Sequence, residues 1–472
     1  MQPLPSQVAM LQLAAQHPGS RALVIDAAWG TVAAVDTAAL VRSAADALAE
    51  TEAAGIGVRA DHGMRLVAAD PAPVVVADFA TRAEYEAWRA GGTLPLDGGP
   101  LVRATIVRVD GAHVVRLLAH HAVLDGYGVT RVFRRILARL RAGAGGAPLP
   151  HERLGDLVAL GATAAPLRPP DDAFWSAATA GVGEPGREIA FADRTAPPTD
   201  RPLQHRVRFA APGVADRRTW PGEAVATVAA YTARHLGTDE ARVGVTAALR
   251  RTALERATPI HWMAVVPTRF AVPEDATPSA LAAELRRWLA AASDRIAGGE
   301  RPEQLLTAVP AAWRTGRLYG PIVNVLPDVR TDDWSLDVAA WGPVADCLIS
   351  VHPDPGDVFV VDGVFHPALY DADGARAHVD AIAALLATAL VAPDAPLPAI
   401  AARPVDPGRV AVPGGWAVPA RIRSALAAAG FAPDEVEVRP GPPLTVVLRG
   451  VDAARLPDAR AVIPPGVRVR LG

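Results

Sequence analysis

Two apolar patterns run along the chain, and they predict different elements. Segments 101–109 and 113–121 read as extended strands, and the Asp110-Gly111 pair between them is a hairpin signal. The period then changes. Val129, Val132, Phe133, Ile136, Leu137 and Leu140 recur on one helical face, which predicts a helix over 128–141. Arg131, Arg134, Arg135 and Arg139 fall mainly outside that stripe, as a solvated face or a docking surface for an acidic partner.

The stretch from Arg141 to Asp172 is rich in Gly, Ala and Pro and marks a first boundary. A second block starts near Phe174-Trp175. It holds a helix over 223–236, strands over 242–247, 261–266, 321–326 and 358–365, and a helix over 375–390. Pro-rich sequence from Ala392 to Pro413 marks a second boundary. A small α+β tail follows, with a helix near 420–429 and strands near 436–438 and 444–448. The predicted units are 1–165, 172–400 and 404–472, in keeping with the two or three domains that 472 residues suit.

Composition narrows the class. Half of the residues are hydrophobic and the formal net charge is −3, so no whole-molecule field points to nucleic acid. No apolar run is long enough to span a bilayer, and residues 1–15 lack the basic-then-apolar order of a secretory signal. The expected location is the cytoplasm. Cys347 is the only cysteine, which excludes an internal disulfide and a cysteine-based zinc cluster; in the apolar stretch 344–351 it reads as a core thiol. Lysine is absent throughout, so chemistry that needs a lysine amine has no residue to use.

The candidate chemistry sits at the end of the second hairpin strand, in His120-His121-Ala122-Val123-Leu124-Asp125-Gly126. Alternation sends His120 and His121 to opposite faces, so only one enters a given cleft. The turn that follows can bring the amides of Gly126 and Gly128 to the start of a helix. Unpaired N–H groups and the positive dipole end found there can hold an oxyanion. Paired histidines also serve as metal ligands, but no further ligand cluster accompanies these, and no metal site is expected.

Through this motif and the order of its neighbours, the chain resembles the condensation domains of nonribosomal peptide synthetases, within the chloramphenicol acetyltransferase-like superfamily. The resemblance spans about residues 1–400. Leu4-Pro5-Ser6-Gln7 is similar to the opening motif. Pro95-Leu96-Asp97 through Pro100-Leu101-Val102-Arg103 is similar to the segment leading into the central hairpin. His120 to Gly128 matches the active-site motif. Gly244 to Arg250 with Val266-Pro267-Thr268-Arg269, and Val323 to Pro327, resemble later core motifs. Segment 49–59 and the Val245-Thr246 pair depart from the usual pattern, as in a divergent, free-standing member. Gly414-Gly415-Trp416 through Pro419, with Ile422, Leu426 and 436–438, more weakly resembles the small C-terminal subdomain of adenylate-forming enzymes. That subdomain supplies a lysine this chain lacks; an unrelated appendage is the other reading.

The resemblance implies an α/β (α+β sandwich) fold, with two chloramphenicol acetyltransferase-like lobes in a V around a central tunnel and a small α+β C-terminal domain. It implies that His121 lies in the tunnel while Asp125 points away and pairs with an arginine, best matched by Arg250. The expected catalytic set is His121, His120, Asp125 and Gly126, supported by Arg250 and by Asn324, the only asparagine of the chain. The implied reaction forms an amide or ester between an acyl or aminoacyl thioester on a carrier protein and an amine, amino acid or alcohol, in natural-product biosynthesis. The 4'-phosphopantetheine arm of the carrier, or coenzyme A, presents the acyl group; no cofactor is permanently bound. His121, with an ordinary imidazole pKa of about 6.5, is the expected general base, a role worth roughly 10²–10⁴-fold. An acyl-CoA-dependent O- or N-acyltransferase using the same histidine is one alternative. A non-catalytic docking platform for carrier proteins is another. Neither nucleic acid nor membrane is an expected partner.

Overall fold

The computed structural model describes the chain except residues 1–2, 61–63, 97, 144–148, 150, 171, 183, 185–187, 193–194, 306–316, 332, 403–407, 413–414, 442 and 465. Asp97 and Gly414 of the sequence resemblances, and the boundary at 404, therefore lie outside the described residues.

Helix α1 (Pro5–Gln16) leads into β1 (Val24–Thr31) and α2 (Thr37–Glu50), which Asp36 caps by accepting from the Ala38 amide. The ribbon β2 (Ile56–Ala60) with β3 (Met64–Ala68) precedes β4 (Val75–Phe79) and α3 (Arg82–Arg89). The hairpin β5 (Val102–Val109) and β6 (Ala112–His120) follows. Its turn is the predicted one. Asp110 and Gly111 have φ of 50° and 74°, the paired positive values that match the twist of the flanking strands. Helix α4 (Gly126–Gly143) starts at Gly126 rather than Gly128, because the Asp125 carboxylate accepts from the Gly128 amide and caps the first turn.

Helices α5 (Leu157–Thr163) and α6 (Asp172–Thr179) lead to β7 (Leu203–Ala210) and α7 (Trp220–Leu236). Next come β8 (Glu240–Ala241), β9 (Gly244–Ala248), α8 (Ala253–Ala257), β10 (Met263–Pro267), β11 (Phe270–Ala271) and α9 (Pro278–Ala297). The second half ends with β12 (Ile322–Val325), β13 (Ser335–Trp341), β14 (Cys347–Asp354), β15 (Val358–Phe365) and α10 (Ala372–Ala389). Two large sheets organise most of these strands, one in the order β13-β1-β6-β5-β4 and the other β10-β9-β12-β14-β15-β7, while β8 pairs with β11 and β2 with β3.

Strand β13 breaks any division by sequence. It leaves the second half and pairs antiparallel with β1, Ala27 opposite Val338 and Trp29 opposite Leu336. One apolar core gathers around Trp29 and Phe133, whose stacked rings lie 4.1 Å apart; a second gathers around Trp220, Val228, Phe359 and Leu386. Every residue of β14 is buried, so its sequence carries no alternation to betray it. Cys347 lies there, and burial pushes its thiol well up, away from thiolate chemistry.

In the tail, β16 (Val410–Val412) pairs with β17 (Gly415–Ala417), and α11 (Pro419–Ala428) precedes β18 (Val436–Arg439) and β19 (Thr445–Leu448). Helix α12 (Leu456–Val462) then crosses to β20 (Arg468–Leu471), parallel to β19 and not predicted from sequence. Ile422, Leu426, Val446 and Leu448 centre a core of their own. No helix among the described residues is long and apolar enough to cross a membrane.

The arginine face of α4 is a correction. Arg135 and Arg139 converge on the carboxylate of Glu50, at 2.5 Å from Arg135, and Arg139 also meets Asp46. Burial would raise the Glu50 carboxyl, but these bonds hold it at about 2. Half of the stripe is thus an internal link between α2 and α4 rather than a free cationic surface.

Candidate active site

The hairpin ends in a tight turn. The His120 amide donates to the Leu101 carbonyl at 2.9 Å, the His121 amide to Leu23 at 2.8 Å, and the Val123 amide back to His120 at 2.9 Å. From α1, Gln7 donates to the Ala122 carbonyl at 2.8 Å, so the opening segment pins the turn from outside. Alternation separates the two histidines. His121 lines a cavity of about 570 Å³ between the two sheets; His120 does not line it, and its Nδ1 accepts from the Ala122 amide at 3.1 Å. His120 is a brace of the turn, with no reach to a substrate in that cavity.

The cavity walls are mostly apolar. Ile25, Ala27 and Trp29 of β1, with Val338 of β13, face Met263, Ile322 and Leu348 of the other sheet. Asn324 on β12 also lines it. There Oδ1 accepts from Thr246 at 2.6 Å and Nδ2 donates to Ser350 at 3.3 Å, a polar cross-link over β9, β12 and β14.

Asp125 forms a saturated knot. Its two oxygens accept from Arg250 at 2.8 and 3.0 Å, from the Gly128 amide at 2.8 Å and from the Trp262 amide at 2.9 Å. Burial would raise this carboxyl; the Arg250 guanidinium outweighs it and holds it below the usual range. Arg250 also donates to the Ile260 carbonyl at 2.6 Å and lies 4.3 Å over the Tyr127 ring. A carboxylate with both oxygens filled has no capacity to move protons. Because Asp125 occupies the Gly128 amide, that amide is lost to an oxyanion; Gly126 lines the cavity.

The knot delivers a residue that sequence reasoning missed. Segment 261–266 reads as one strand, but β10 begins at Met263, because its lead-in is pulled elsewhere. The His261 amide donates to Val123 at 2.9 Å, its carbonyl accepts from Ser6 at 2.7 Å, and the next amide is held by Asp125. The side chain so positioned lines the cavity. Its Nδ1 lies 3.1 Å from Nδ1 of His121, with ring centroids 5.0 Å apart. No local pattern marks His261; only the packing of two distant segments reveals it.

Gly342 closes the other side. Its φ is 105°, and a Cβ there would stand 2.5 Å from Cδ2 and 2.9 Å from Nε2 of His121. Only glycine leaves that edge of the ring free. Burial pushes all three imidazoles down, His120 to about 4 and His261 to about 3; for His121 its own carbonyl and Asp125 offset part of the effect. The site is therefore a pair of neutral imidazoles in apolar surroundings.

The structure resembles three solved structures along most of its length. A substituted starter condensation domain of rhizomide synthetase RzmA, in complex with C8-CoA and Leu-SNAC, matches with a TM-score of 0.71 at 19% identity, over 85% of this chain and 96% of that one. The first condensation domain of the calcium-dependent antibiotic synthetase, in complex with a substrate analogue, matches with a TM-score of 0.70 at 20% identity, over 84% and 97%. That first condensation domain in a further structure gives 0.69 at 20% identity, over 84% and 97%. The fold is that of a condensation domain. No family model matches the sequence, and no curated protein matches it. Within this condensation-domain fold, His121, Asp125, Gly126 and Asn324 reach the cavity, and His120 and Arg250 do not.

Proposed function

We propose that the chain transfers an acyl group from a pantetheine thioester, on a carrier protein or coenzyme A, to an amine or hydroxyl, forming an amide or ester. The observation that carries this reading is the placement of His121, a neutral imidazole opening on a largely apolar cavity between two sheets. A thioester carbonyl is already activated, so alignment of two substrates and one proton acceptor suffices; alignment alone contributes up to about 7–11 kcal/mol. Nε2 of His121 takes the proton of the attacking group and returns it to the leaving thiolate.

The lining favours an apolar acyl donor over an aminoacyl one. Among the described lining residues the only carboxylate is Asp125, which is committed to Arg250, so an α-ammonium group would enter without a counter-charge. The C8-CoA bound to one structural neighbour has that apolar character. The test is intact-mass detection of acyl transfer from octanoyl-CoA and octanoyl-loaded carriers to a panel of amines and alcohols. His121→Ala is expected to lower turnover about 10²–10⁴-fold with an unchanged melting temperature. Wild-type turnover in that variant would reduce the imidazole to a bystander.

A further inference from the structure

We propose that His261 is a second catalytic residue, whose Nε2–H binds the thioester carbonyl oxygen as it becomes an oxyanion while His121 acts as base. The inference rests on the thioester-transfer reading and assigns the donor that reading leaves open.

The argument starts from tautomers. As the base of the proposed reaction His121 takes a proton at Nε2, so that nitrogen carries a lone pair. A neutral imidazole has one N–H, so Nδ1 of His121 carries the proton. The 3.1 Å contact between the two Nδ1 atoms then has one possible direction, from His121 to His261. His261 accepts through Nδ1, and its own proton resides on Nε2. The two rings are thereby set in opposite tautomers.

Each ring also keeps one nitrogen for the cavity. Neither Nε2 is among the sealed, unsatisfied polar atoms, and both side chains line the cavity, where the Ser6 backbone lies beside the His261 ring. What faces a substrate is a lone pair on His121 beside an N–H on His261. That is the complement of thioester aminolysis or alcoholysis. The nucleophile's N–H or O–H gives its proton to Nε2 of His121 as its lone pair bonds to the carbonyl carbon. The carbonyl π pair moves to oxygen, where Nε2–H of His261 receives it. Collapse expels the thiolate, which takes the proton back from His121. When His121 is charged, its Nδ1–H bond to His261 becomes charge-assisted and stronger.

The backbone around His261 is built for such a role. Arg250 binds the carbonyl of Ile260, Asp125 binds the amide of Trp262, and Ser6 and Val123 bind position 261 itself. The Asp125–Arg250 knot thus positions His261 as well as α4.

The test has two arms on the full chain. In 15N spectra of histidine-labelled protein, His121 should be protonated at Nδ1 and His261 at Nε2; His261 protonated at Nδ1 would overturn the assignment whatever the activity. In transfer assays with octanoyl-CoA, His261→Leu should lower kcat about 10²–10³-fold with little change in KM. His261→Gln, which restores an N–H toward the cavity, should recover part of that loss, and His261→Asn, which cannot reach, should not. Wild-type kcat in His261→Leu, or equal losses in Gln and Asn, would remove the oxyanion role. Absence of transfer even in the wild type, with the tautomers as assigned, would sink the thioester reading together with the oxyanion role and leave the tautomer pair standing.

Discussion

Two buried clusters of ionisable groups occupy opposite faces of the β13-β1-β6 sheet, and they are built on opposite terms. On one face Asp26, fully buried, accepts from Arg89 at 3.0 Å, from Arg116 at 2.8 and 3.0 Å, and from Arg21 at 3.1 Å; Arg89 continues to Asp337 at 2.5 Å. Burial would raise the Asp26 carboxyl, and Arg89 and Arg116 bring it down instead. On the other face His121 and His261 share a single hydrogen bond and leave a nitrogen each to the cavity. A charge surrounded by partners is locked and chemically silent. A neutral pair left incomplete is ready to bind or to take a proton. The difference separates structural from chemical polarity better than burial does, since both clusters are buried.

The comparison breaks hardest at the charges. Asp26→Ala should cost about 3–5 kcal/mol of stability by stranding buried guanidinium groups, while the folded fraction keeps its transfer rate. Asp125→Ala should cost a similar amount and also lower kcat, because its knot holds His261. Denaturant unfolding beside single-turnover rates separates the two; a normal rate in Asp125→Ala would uncouple the knot from the chemistry.

Gly342→Ala presses on the imidazole face alone. Its Cβ would overlap the Cδ2–Nε2 edge of His121 at a φ that L residues rarely adopt. A displacement of this kind can cost about 10²-fold in rate, measured with octanoyl-CoA as donor; an unaltered kcat would show that the ring has room to spare.

Acid should reach the imidazoles before it reaches the carboxylates. His120 at about 4 and His261 at about 3 lie below the ~6.5 of an unfolded chain. The unfolded state therefore takes up protons first, and the stability these neutral rings contribute is complete above about pH 6.5 and falls as pH drops toward those values. The slope is about 1.4 kcal/mol per pH unit for each ring. Melting temperatures from pH 7 to 5 should show it, and His261→Leu should flatten it.

The mildest probe is the donor itself. Each methylene buried against Ile25, Trp29 and Val338 should add about 0.8 kcal/mol, roughly fourfold in kcat/KM, until the cavity is full. A flat series from butanoyl to octanoyl would place the acyl chain elsewhere.

What the linear chain determined by itself is what neighbours in sequence can enforce. Asp110-Gly111 prescribed a tight hairpin, the spacing of Val129 to Leu140 prescribed a helix, and alternation sent His120 and His121 to opposite faces. Strand β14 escaped because burial on both faces erases alternation, and β20 because four residues with exposed arginines carry too little apolar pattern. Only the tertiary structure brought His261 to within 3.1 Å of a ring 140 positions away, laid Gly342 against that ring, joined β13 to β1, and folded Arg135 and Arg139 back onto Glu50. Sterics and periodicity act over a few residues. Those contacts depend instead on where separately formed elements dock and which buried hydrogen bonds the docking must satisfy.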